Sequence, residues 1–174
     1  MKRLVTAVLL AAGALEAADW SEWYRDRNRV VARTADGVAE IEFVTSATFR
    51  YALRSAPSSP RSQRPDRVEF TVEEGSDRLT LKTRYLVVSL FKKGLKLQVR
   101  DGEGKLVASF PAEGFEPELQ FRRHAFLFSR EGYGLSRNRR GDCFFHYGPN
   151  PKEVFEQRYG TMEPFEQLTY DHLK

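Results

Sequence analysis

Apolar and polar residues alternate with a period of two through most of this chain, in short runs broken by turn formers every ~8–12 positions. Such a rhythm suits strands, because successive side chains on a strand point to opposite faces, whereas a helix repeats every ~3.6 residues. Across residues 38–44, Val38, Glu40 and Glu42 share one face, while Ala39, Ile41 and Phe43 share the other, which reads as a half-buried strand. Val30, Val31 and Thr34 precede it, and Asp36-Gly37 reads as the hairpin turn between the two runs. Phe49, Tyr51 and Leu53 continue the pattern. Residues 54–66 then hold three Pro, four Ser and three Arg with almost nothing apolar, so a long exposed loop is expected there.

Beyond that loop the alternation resumes at Val68, Phe70 and Val72, and again at Leu79 and Leu81. Residues 85–91 are more uniformly apolar, as in a central strand covered on both faces. Lys92-Lys93-Gly94 turns the chain into Leu95, Leu97 and Val99, and residues 101–104 turn it into residues 106–110. Residues 119–121 and 125–128 supply further short runs. About ten strands, with no βαβ rhythm, internal repeat or heptad, predict an all-β, antiparallel β-sandwich.

The ends differ from this body. Lys2 and Arg3 precede an apolar run over residues 4–15, and small residues follow, the layout of a secretory signal. Ala12-Gly13-Ala14 offers one cleavage site and Ala17-Ala18 another, and the run is shorter than the ~20 residues of a membrane span. A secreted or periplasmic protein with no membrane span is expected. At the other end, Asn150-Pro151-Lys152-Glu153 has the cap, first-turn proline and third-position carboxylate of a helix start, and Gly160 stops it. A second short helix is predicted after Pro164, with Phe165 and Leu168 on one face. The organisation is therefore a signal over 1–18, a sandwich over 19–149 and a helical tail over 150–174.

Composition narrows the chemistry. At 174 residues the chain is short of the ~250 typical of a (β/α)₈ barrel. The one cysteine, Cys143, excludes an intramolecular disulfide and a multi-cysteine zinc cluster, and reads as a buried, inert thiol. His124, His146 and His172 are scattered among basic, aromatic and tail segments, and a His146–Cys143 metal pair fails on count and spacing. No metal or other cofactor is expected. The net charge of +4 becomes +3 once residues 1–18, with two positive and one negative charge, are removed, too small a value to suggest a nucleic-acid partner.

Two stretches carry a family resemblance. Phe49-Arg50-Tyr51, the strand ending near Thr83, residues 85–88 and the Asp101-Gly102-Glu103-Gly104-Lys105-Leu106 turn resemble, in order, the N-terminal domain of glycoside hydrolase family 31, the α-glucosidase and α-xylosidase family. Gly132-Tyr133-Gly134 and Tyr147-Gly148-Pro149-Asn150-Pro151-Lys152-Glu153-Val154 resemble the strands and helix that lead into that family's catalytic barrel. A rival alignment matches Tyr133-Gly134-Leu135 and Asn138-Arg139-Arg140-Gly141 to a family segment bordering the sugar pocket, and the two alignments exclude each other. The resemblance implies a galactose-mutarotase-like sandwich that acts as scaffold or weak carbohydrate binder. It also implies a retaining mechanism with two carboxylates about 5–5.5 Å apart. In the family these sit in the barrel within Trp-x-Asp-Met motifs, which this chain lacks, and residues 162–174 do not resemble the first barrel strand. No catalytic residue carries over, so the chain by itself is expected to be non-hydrolytic. Its expected partners are carbohydrate or a catalytic barrel in cis or in trans, and an unmatched docking face would favour self-association.

Sugar recognition needs flat aromatic faces and planar polar groups. Trp20, Trp23 and Tyr24 are the first candidates, with Tyr133, Arg137 and Arg139 second; for both groups packing or a solvated basic turn is the bland alternative. The competing functional class is a secreted anion- or nucleic-acid-binding module built on clustered arginines: Arg25, Arg27 and Arg29; Arg61, Arg64 and Arg67; Arg122 and Arg123; Arg137, Arg139 and Arg140. Interspersed acids and the export signal argue against nucleic acid. Salt separates the two classes, since phosphate-dominated binding weakens steeply with ionic strength.

Overall fold

A computed structural model describes residues 19–58, 67–115, 126–128, 132–137 and 143–148. The signal segment, residues 59–66 of the loop, the run at 119–121, His124, Arg139, His172 and the helical tail lie outside the described residues. Twelve strands are described: β1 (Trp20–Asp26), β2 (Arg29–Thr34), β3 (Gly37–Thr45), β4 (Thr48–Arg54), β5 (Thr71–Glu74), β6 (Arg78–Lys82), β7 (Leu86–Phe91), β8 (Leu97–Asp101), β9 (Leu106–Phe110), β10 (Phe126–Phe128), β11 (Tyr133–Arg137) and β12 (Cys143–Tyr147). They form two antiparallel sheets, a seven-stranded one in the order β1-β2-β3-β4-β12-β11-β10 and a five-stranded one in the order β5-β6-β7-β8-β9. The expected all-β sandwich is the architecture found. No helix occurs among the described residues, so none there is long and apolar enough to cross a membrane.

The strand period places the core between the sheets. In the seven-stranded sheet Val30, Ala32, Ala39, Ile41, Phe43, Phe49, Tyr51, Leu135 and Phe145 point inward. In the five-stranded sheet the cross-strand rows Leu81–Val88–Val99–Ala108 and Leu79–Leu90–Leu97–Phe110 meet them. Rings dominate the middle: Phe49 stacks on Phe145 at 5.2 Å, Phe145 on Tyr133 at 5.1 Å, and Phe110 meets Phe115 edge-on at 4.9 Å. Each such pair is worth about 0.5–1.5 kcal/mol beyond its buried area. β7 is central in its sheet, as its dense apolar run predicts.

Two local expectations need correction. Thr34 pairs with Gly37, so the β2–β3 turn consists of Ala35 and Asp36, and Gly37 already belongs to β3. Its backbone lies against Arg54, where any Cβ would run into the carbonyl oxygen, so close approach rather than turn geometry is why glycine stands there. The second correction concerns β3. Val38, Glu40 and Glu42 do share the face turned away from the core, but Glu40 is 0% exposed. Val31, Arg50, Ser136, Phe144 and His146 on the same outer face of the sheet are also buried. The strand is covered on both sides, not half-buried.

Candidate functional site

β1 is an edge strand, and it brings the three early aromatics to different surroundings. Trp20 is 1% exposed, with its backbone N–H donated to the Lys92 carbonyl at 3.2 Å and the Lys92 Nζ lying 4.7 Å from the ring centroid. Its face is given to the core and to that ammonium, so it acts in packing and offers no open face to a sugar. Its indole N–H is buried without a hydrogen-bond partner. Trp23 is half-buried against the core, and its Nε1 donates to Glu74 Oε2 at 2.8 Å, tying β1 to β5 across the sandwich edge. Tyr24, the next residue along the strand, points to the opposite face and is exposed. The aromatic cluster of the sequence is therefore divided between core, edge and surface.

The second candidate group is built by a pair of hairpins. β11 runs between β10 and β12, and Tyr133 is the cross-strand partner of Tyr147. Tyr133 stacks on Phe145 with an interplanar angle of 17° and meets Phe110 edge-on, which makes it a packing residue. Arg137 is half-buried opposite Cys143, and Cys143 itself lies in the core, as its apolar neighbours predict.

The outer face of the seven-stranded sheet holds a polar network that the sequence reading left in solvent. Glu40 accepts from the backbone N–H and the hydroxyl of Ser58, both at 2.7 Å, and pairs with Arg29 at 3.3 Å and Arg50 at 3.2 Å. Arg54 approaches it at 3.5 Å. Arg29 also pairs with Asp26 at 2.8 Å, and Arg50 with Glu42 at 3.0 Å. Three guanidiniums thus face three carboxylates, with Ser58 as the clasp that fixes the start of the loop after β4. The signal was present in the sequence, since Glu40 and Glu42 share a face and Arg50 is the cross-strand neighbour of Glu42. Glu40 and Glu42 share one nitrogen of Arg50, yet Glu40 is inaccessible and already paired, so this carboxylate pair cannot serve glycoside cleavage.

A second polar group lies on the same face. Ser136 Oγ is 2.8 Å from His146 Nε2, and His146 Nδ1 is 3.4 Å from Thr48 Oγ1. A hydroxyl beside an imidazole has the form of an activated nucleophile. Here both groups are buried, and desolvation pushes the imidazole down to about 3, where it is a poor base. The pair is structural. Tyr51 is likewise buried, with its hydroxyl donated to the Ala112 carbonyl at 2.9 Å, and burial raises its phenol well above the ordinary range, with Glu113 adding to the shift.

A fifth feature is open to ligand. A cleft of ≈ 460 Å³ beside the β1–β2 turn is lined by Arg25, Arg27, Asn28 and Arg67. The sequence grouped Arg25, Arg27 and Arg29 together; the structure sends Arg29 to Glu40 and brings Arg67 to the other two. Among the described residues no group of three His, Cys, Asp or Glu side chains could hold a metal ion.

No family model matches this chain, and no curated protein matches it. Solved structures similar to it include a Flavobacterium johnsoniae GH31 dextranase, at 17% identity and a TM-score of 0.46, covering 70% of this chain and 15% of that one. The cycloalternan-forming enzyme from Listeria monocytogenes is 14% identical with a TM-score of 0.44, covering 68% of this chain and 10% of that enzyme. A GH31 alpha-xylosidase from Xanthomonas citri is 20% identical with a TM-score of 0.36, covering 67% and 12% respectively. Two of these three similar structures are GH31 enzymes, and the chain spans 10–15% of the length of all three.

Proposed function

We propose that this chain is the N-terminal β-sandwich of a family 31-like glycoside hydrolase, a scaffold with at most weak carbohydrate affinity and no hydrolytic activity of its own. One observation carries the reading. The stretches whose sequences resemble the family lie side by side: Tyr133 pairs with Tyr147, and Phe145 pairs with Phe49, joining Gly132-Tyr133-Gly134, Tyr147-Gly148 and Phe49-Arg50-Tyr51 on three neighbouring strands. Residues separated by nearly a hundred positions form one patch. Of the candidate aromatics Tyr24 is the exposed one, and Tyr85 is another exposed ring among the described residues. Export through residues 1–18, self-association and a helical tail over 150–174 belong to the same proposal.

Intact-mass measurement of the native polypeptide, with assay of the purified chain on aryl α-glucosides and α-xylosides, tests this reading. A mass well above that of 174 residues and an inactive isolated chain are the expected results. Product release by the isolated chain that survives removal of trace host enzymes would overturn it.

A further inference from the structure

The β1–β2 hairpin closes through the Asp26–Arg29 pair, which leaves Arg27 and Asn28 as its two turn residues. Arg27 adopts φ 55°, in the left-handed region where glycine or asparagine is at ease and a long side chain is uncommon. Asn28 is buried; its Oδ1 accepts from the Val68 backbone N–H at 3.0 Å and its carbonyl from the Phe43 N–H at 2.9 Å. The Val68 bond docks the turn onto the segment that leads into β5 and carries Arg67, and the Phe43 bond ties it to β3. Arg25 is held rigidly. Its Nε donates to the Arg27 carbonyl at 3.0 Å, its Nη1 to the Phe70 carbonyl at 3.1 Å, and its guanidinium lies 3.8 Å over the Phe70 ring. Both acceptors are neutral, so these bonds do not cancel the positive charge.

Arg25, Arg27 and Arg67 thus line one cleft, and among the described residues no carboxylate lines it. Among the described residues Arg27 and Arg67 make no ion pair, and Asp26, next to Arg27 in the chain, is engaged by Arg29 on the other face of the strand. Like charges gathered at a concave site repel one another unless a counter-charge enters, and each guanidinium presents planar donors matched to two oxygens of an oxyanion. We propose that this cleft is an oxyanion-binding site, taking a carboxylate, sulfate or phosphate group borne by a small polar molecule or as the inorganic ion. The volume suits a ligand of one or two sugar rings. Pre-ordering of Arg25 and of the turn lowers the entropy lost on binding. The proposal holds whether or not a barrel accompanies the chain.

Isothermal titration of the full chain at low ionic strength tests it, using a uronic-acid trisaccharide, neutral maltotriose, inorganic sulfate and inorganic phosphate. Arg27→Gly suits the turn conformation and Arg67→Gln is a surface change, so both are expected to fold, as circular dichroism will verify. Each should weaken oxyanion binding by about tenfold, in line with one charge-assisted hydrogen-bonding group, while Arg100→Gln on β8 leaves it unchanged. Tighter binding of the uronic trisaccharide than of the inorganic ions identifies an acidic sugar, and the reverse order identifies the inorganic ion; either supports the site. Equal affinity for maltotriose, or affinities that Arg27→Gly and Arg67→Gln leave unchanged or that Arg100→Gln lowers equally, would overturn it.

Discussion

Two arginine clusters lie within a few residues of each other in this molecule and have opposite characters. Arg29, Arg50 and Arg54 converge on Glu40, with Asp26 and Glu42 completing the balance and Ser58 clasped among them. Arg25, Arg27 and Arg67 line a cleft to which no described carboxylate contributes. In the first cluster every charge has a counter-charge and the centre, Glu40 with Arg50 and Arg29, is buried while Asp26 and Arg54 reach the surface, so its work is to hold a loop to a sheet. The second keeps its charge and remains open, so its work is to receive something. Clustering of arginines along a sequence says little; what matters is which of them share a face with acids.

The largest effect expected from this contrast is at Glu40. Replacing it by Gln leaves Arg29 and Arg50 with only Asp26 and Glu42 as counter-charges and removes the buried acceptor at their centre, and urea denaturation should show a loss of about 3 kcal/mol. A loss below 1 kcal/mol would mean that the network is dispensable and would erase the distinction between the two clusters.

Acid sharpens the same contrast from the other side of the outer face. His146 titrates at about 3 in the folded chain because burial disfavours its charged form, against the ordinary value near 6.5 when unfolded. Below pH 6.5 the unfolded state therefore binds a proton that the folded state does not, and stability falls as pH drops from 6.5 toward 3. The contribution of this one residue approaches about 1.4 kcal/mol per pH unit within that window. His146→Gln keeps hydrogen-bonding groups beside Ser136 and Thr48 but does not titrate, so its denaturation midpoint should depend less on pH over that range. An unchanged dependence would assign the acid sensitivity elsewhere.

Smaller effects follow. Ser58→Ala removes the hydroxyl donated to Glu40 but keeps the backbone N–H, and should cost about 1–2 kcal/mol and quicken proteolysis at residues 55–58. Arg67→Gln should change stability by less than about 0.5 kcal/mol. Arg27→Gly should leave stability equal or slightly raised, because it relieves the left-handed arginine. Comparable losses at Ser58 and Arg67 would break the comparison.

Much of the architecture was legible from local alternation. The period of two put Ile41, Phe43, Phe49 and Tyr51 on the core side, and the dense run at 85–91 marked the centre of a sheet. What alternation cannot say is what covers the other face, because that depends on segments distant in the chain. Glu40 and Glu42 were assigned to their face correctly but read as solvated, since nothing local announces that Ser58, Arg29 and Arg50 close over Glu40. Trp20 and Tyr133 looked like sugar platforms because a ring that stacks on sugar and a ring that fills a core have the same composition and differ only in exposure. The cleft was half visible. Arg25 and Arg27 were grouped, but strand pairing was needed to remove Arg29 and bring in Arg67.

The division of labour between the two clusters is tested most directly by thermal unfolding with and without the uronic-acid trisaccharide, for the unaltered chain, Glu40→Gln and Arg67→Gln side by side. Ligand that binds only the folded state raises the midpoint by an amount that grows with the logarithm of one plus the ratio of ligand concentration to Kd. The unaltered chain should show that rise, Glu40→Gln should unfold at a lower temperature yet keep the rise, and Arg67→Gln should unfold at the original temperature and lose most of it. A rise abolished by Glu40→Gln but retained by Arg67→Gln would contradict the account.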